Sequence, residues 1–116
     1  MPARSETSIL MAQKRFLNEV EQGIRAANRE VVHKLIPTLD NDSFFGLAVA
    51  VAKLRANYLE AALRMSRAKE PTNPATIAEL RTKRELYDEG RLAFEALQRA
   101  IERGYVDIAD GSGKAI

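Results

Sequence analysis

The chain has 116 residues, 46% of them hydrophobic and 29% charged, a balance that sets aside both a disordered and a membrane-embedded protein. It holds no cysteine, which excludes disulfides, thiolate metal sites and cysteine nucleophiles and suits a reducing cytoplasm. Eighteen basic against sixteen acidic residues leave a formal charge of +2, too small a surplus to imply an acidic partner.

The length fits one domain covering residues 1–116. The longest apolar run, from Phe44 to Ala52, falls far short of the roughly 20 residues that cross a bilayer. The first residues, MPARSETSILMAQKR, lack the apolar core of a secretory signal, so the expected location is the cytoplasm, away from membranes.

The first periodic segment predicts a helix over 5–36, started by Ser5 or Thr7 and closed by Pro37. Its apolar stripe is Ile9, Phe16, Val20, Ile24, Ala27, Val31 and Leu35, with several members eleven residues apart, the spacing of a nearly straight helical face. Residues Pro37 to Asp42 carry turn chemistry, and Asp42 or Ser43 is placed to cap a second helix over 43–69. After Glu70-Pro71-Thr72-Asn73, Pro74 sits where a first-turn proline belongs, and the third helix runs over 74–103 to a stop at Gly104. Leu80, Tyr87, Phe94 and Ile101 repeat every seven residues along it, which is bundle patterning. A glycine-rich tail over about 109–116 is expected to fray, and no strand pattern is visible. Short linkers between helices of similar length predict an all-α, up-down-up antiparallel bundle.

The second helix stands apart in carrying two apolar ridges. Leu47, Val51, Leu54, Tyr58 and Met65 form one; Phe45, Ala48, Ala52, Leu59 and Leu63 form the other, about a third of a turn away. A middle helix of a bundle touches two neighbours, which explains part of this arc, and helices one and three splayed apart would cover both ridges within one chain. The second ridge points to a partner, most simply another copy of the chain.

Chemistry-bearing residues are sparse. Arg55 falls between the two ridges, where a buried guanidinium would need a carboxylate or an anionic ligand. Arg15, Arg25, Arg29 and His33 share one stripe of the first helix, with Gln22 among them and Arg4 extending it, a row able to meet phosphates or an acidic protein face. No aromatic residue is interleaved for base stacking. Glu30 and His33 have the Glu-x-x-His spacing of di-iron bundles, but His33 is the only histidine and lies opposite the apolar stripe. Without a second histidine, a cysteine or a phosphate-binding glycine loop ahead of a helix, the residues give no enzyme, metal site or cofactor.

Ser43-Phe44-Phe45-Gly46 loosely resembles the Trp-x-Gly turn of the WXG100 family of secreted helical hairpins, with Phe44 in the place of tryptophan. The resemblance implies a secreted helical interaction protein. That family's Tyr-x-x-x-Asp/Glu export signal is missing, since Tyr87 leads to Arg91 and Tyr105 to Ala109. The residues themselves predict a non-enzymatic helical interaction protein, an adaptor, chaperone-like or assembly component, that self-associates through its second helix or binds another helical protein. A nucleic-acid accessory protein using the first-helix stripe is the alternative.

Overall fold

A computed structural model describes residues 5–110 and 116. It is all-α in class, with three long helices and one minimal pair of strands: α1 (Glu6–Leu35), β1 (Thr38–Leu39), α2 (Asn41–Ser66), α3 (Pro74–Glu102) and β2 (Asp107–Ile108).

Each helix begins and ends for a local reason. Ser5 caps α1, its hydroxyl accepting from the Ser8 N–H at 3.1 Å. Pro37 disfavours helical geometry at Ile36, and the helix stops one residue earlier. The α2 cap is Asp40, whose carboxylate accepts from the Ser43 N–H at 2.6 Å, so α2 starts two residues ahead of the expected position. That backbone N–H holds the Asp40 carboxyl below the usual carboxylate range. Phe44 and Gly46 therefore lie inside the first turns of α2, not in a turn between helices. Asn73 caps α3 through its side-chain oxygen and the Ala75 N–H, with Pro74 at the first helical position.

The end of α3 is a Schellman closure. Tyr105 N–H donates to Ala100 and Gly104 N–H to Ile101, while Gly104 takes a φ of +75° that side chains rarely adopt. The reversal carries Val106 to Ala109 back towards the α1–α2 linker. There β2 pairs in parallel with β1, Thr38 opposite Asp107 and Leu39 opposite Ile108, and the Ala109 N–H donates to the Leu39 carbonyl. Strands of two residues are too short to leave a periodicity, which is why the sequence showed none. Leu39, Val106 and Ala109 are all buried at this junction. Ala109 belongs to this junction, and the Ile116 N–H donates to the Ile108 carbonyl; most of the tail expected to fray, residues 111–115, lies outside the described ones.

α2 and α3 form an antiparallel hairpin. Phe44 stacks on Phe94 with ring centroids 4.9 Å apart, Tyr58 lies over Tyr87, and Val51 and Ala61 are buried on the same side of α2. Near the turn, Arg64 bridges Glu60 of its own helix and Glu79 of α3 at 2.9 and 2.8 Å. These exposed pairs orient more than they stabilise.

The three-helix packing does not extend to α1. It is 30 residues long and contains no buried residue. The α2–α3 pair and the β1–β2 pair are the substantial contacts between elements. The radius of gyration is 22.9 Å, against about 13 Å for a compact domain of this length. In the linker between α1 and α2, Leu39 is buried in the strand pair with Ile108.

Candidate functional site

α1 is anchored near its C-terminal end by polar contacts. Arg29 Nη1 donates to the Gly104 carbonyl at 3.0 Å, and Nη2 donates to Asp107 Oδ1 at 2.9 Å. The other carboxylate oxygen of Asp107 meets His33 Nε2 at 3.2 Å. Asp107 thus clasps two successive turns of α1. The Arg29 guanidinium first, and His33 to a lesser degree, hold its carboxyl below the ordinary range.

The clasp grips α1 by its polar face. At about 100° per residue, Arg29 and His33 lie on the side of the helix away from Val20. The apolar face is left turned outward. Leu10, Leu17, Ile24 and Val31 recur at seven-residue spacing and are each between 55% and 64% exposed. An open groove runs beside them between Leu17, Val20 and Ile24 on α1 and Arg103 and Tyr105 beyond α3.

The sign of the clasp's pH dependence follows from the depressed Asp107 carboxyl. Its contribution to stability is present above the unfolded-state pKa of about 4 and is lost as pH falls through the lower folded-state value. Asp107→Asn is expected to remove this acid-labile part and to raise hydrogen exchange at the C-terminal turns of α1 at neutral pH. Exchange there that is identical in the variant and the parent at neutral pH would show that the clasp does not hold the helix.

The sequence-predicted residues separate into three groups. Of the basic stripe, Arg29 and His33 are engaged by Asp107, and Arg25 contacts Glu21 at 3.5 Å. Arg15 is exposed further along the helix, and Arg4 lies outside the described residues. His33, expected to point to solvent, is half-buried against Asp107 instead. Glu30 pairs with Lys34 at 3.7 Å, and among the described residues no group of three histidine or acidic side chains could hold a metal ion.

Arg55 is exposed, not buried between ridges. Its guanidinium carbon sits 5.3 Å from the Tyr87 ring centroid and its Nε donates to the Tyr87 hydroxyl at 3.2 Å. A cation over an aromatic face needs no carboxylate partner. The arginine reaches across to α3 at the edge of the helix pair, where it stays open to solvent.

The second α2 ridge is uncovered by its own chain. Phe45 is 70% exposed, Leu59 and Leu63 just over half, while Ala48 and Ala52 lie between them on the same side of the helix. The first ridge faces α3, as the pairing of Tyr58 with Tyr87 and the burial of Val51 require.

Sequence reasoning missed Asp107, the Gly104 carbonyl as an acceptor for Arg29, and the outward turn of the α1 stripe. The one available cue was an aspartate isolated in the apolar run Tyr105-Val-Asp-Ile108 directly after a helix stop.

No family model matches this chain, and no curated protein or solved structure is significantly similar to it. No helix among the described residues is long and apolar enough to cross a membrane.

Proposed function

We propose that the chain is a non-enzymatic helical interaction protein, an assembly or adaptor component that works as an oligomer of itself. The observation that carries the reading is α1, a 30-residue helix without a buried residue whose apolar face is left largely uncovered by the rest of the chain. Helices in water draw most of their stability from packing an amphipathic face, and a contiguous exposed apolar stripe of this length marks a binding surface. The uncovered α2 ridge adds a second such surface. The side chains with the widest chemical repertoire, His33 and Asp107, are occupied with each other. A reducing compartment such as the cytoplasm is supported by the absence of cysteine.

Light-scattering mass across a dilution series tests the reading. A particle of at least twice the 12.9 kDa chain mass, dissociating on dilution, is the expected result. A chain that stays at the monomer mass at millimolar concentration would remove it.

A further inference from the structure

Two exposed apolar seams of matching period lie on helices that do not pack together. On α1 the seam steps by three and four residues through Leu10, Gln13, Leu17, Val20, Ile24 and Ala27 to Val31. On α2 it steps by four and three through Phe45, Val49, Ala52, Ala56, Leu59 and Leu63. Both are the a and d positions of heptads, which pack knobs into holes against a like partner. Every residue of both seams is exposed.

We infer that α1 of one chain lies antiparallel along the second ridge of α2 of another copy, reciprocally, so that two chains complete two three-helix bundles in exchange. The inference rests on the self-association proposed above and specifies which surfaces meet. Registers one heptad apart each bring seam onto seam, and the flanking charges choose among them, since a shift either way sets Lys14 beside Lys53 or Glu21 beside Glu60. With Val20 against Ala56 of the second copy, Leu17 meets Leu59, Ile24 meets Ala52 and Ala27 meets Val49. Large residues face small ones at Val20–Ala56, Ile24–Ala52 and Ala27–Val49, while at the two ends Val31 meets Phe45 and Gln13 meets Leu63.

The flanking positions agree with the same alignment. Lys14 falls beside Glu60 of the second copy and Glu21 beside its Lys53, two opposite-charge pairs of the kind that select orientation in coiled coils. Neither Lys14 nor Lys53 has an ion-pair partner within its own chain among the described residues. On the other flank the bulk of Phe16 faces Ala62, and Gly23 faces Arg55 with open space around its Cα.

The contact area is sufficient. The seams overlap over about 19 residues, roughly 29 Å, and helices are roughly 10 Å across, so the four faces of a two-fold exchange cover about 1,100 Å². Stable interfaces begin near that value. A second copy, not the chain's own α1, is the occupant because the strand pair at Leu39 and the Asp107 clasp hold α1 away from α2 within one chain.

The native chain has no cysteine, which makes disulfide trapping clean. Two full-length single variants, Val20→Cys and Ala56→Cys, are mixed, allowed to exchange and oxidised, then resolved without reductant. A covalent Val20→Cys/Ala56→Cys dimer is expected, at least about ten-fold above a Val20→Cys/Ala50→Cys control mixture, because thiols held together act at high effective concentration. Dominant linking of Val20→Cys to itself would mean α1 pairs with α1 and overturn the inference. In the Val20→Cys, Ala56→Cys double variant, a link formed within one chain would show closure onto its own α2, with the same consequence. Oligomer by mass without the mixed link rejects this arrangement and leaves self-association standing. A monomer by mass, with no mixed link, rejects both.

Discussion

Leu17→Asp combined with Ile24→Asp should leave the chain at its monomer mass of 12.9 kDa where the parent forms an oligomer. Each side chain contributes about 1.5–3 kcal/mol when fully buried, and a two-fold assembly carries each site twice. The summed loss is at least about 6 kcal/mol, which weakens association by roughly four orders of magnitude. Both side chains are more than half exposed within the single chain, so the α2–α3 hairpin has no reason to unfold with them. Circular dichroism of the variant should keep the hairpin's helical signal while α1 frays, since an unpacked helix is marginal in water. A double variant that keeps the parent's mass would show that the α1 seam is not the contact.

The second large effect concerns the hairpin itself. A Cβ at Gly90 would come within 2.8 Å of Leu54 Cδ1 and 3.5 Å of Val51 Cγ2. Gly90→Leu is expected to push α2 and α3 apart and cost about 1–3 kcal/mol, the usual range for overpacking. In a domain of this size that lowers Tm by several degrees. Gly90→Ala should fall close to the parent instead. The close atom is the free end of a leucine, which can rotate, and alanine gains about 1 kcal/mol over glycine in helix propensity. Thermal unfolding of the two variants side by side checks the point; equal stability of Gly90→Leu and the parent would mean the helices are not in close approach there.

Local signals in the sequence translated well into local structure. Ser5, Asn73, Pro74 and Gly104 mark ends of helices because capping and φ preferences are properties of one or two residues. The seven-residue repeat through Tyr87 and Phe94 faces α2, since periodicity alone fixes which side of a helix is apolar. What covers an apolar side is a different question. The α1 stripe looked like ordinary bundle core, yet it is left exposed while Asp107, far along the chain, holds Arg29 and His33 on the opposite face. Three residues separated by two helices leave no mark in any local window. Arg55 shows the same limit: its angle on α2 was legible, but Tyr87 beneath it came from another helix. The excess apolar arc of α2 was visible, and Phe45, Leu59 and Leu63 are indeed uncovered in the single chain.

Hydrogen exchange along α1 tests most directly whether its apolar seam is covered by another chain. Amides from Leu10 to Val31 should be protected at high protein concentration and lose that protection on dilution, while amides of α2 facing α3 keep theirs. Rapid exchange throughout α1 at every concentration would contradict the account.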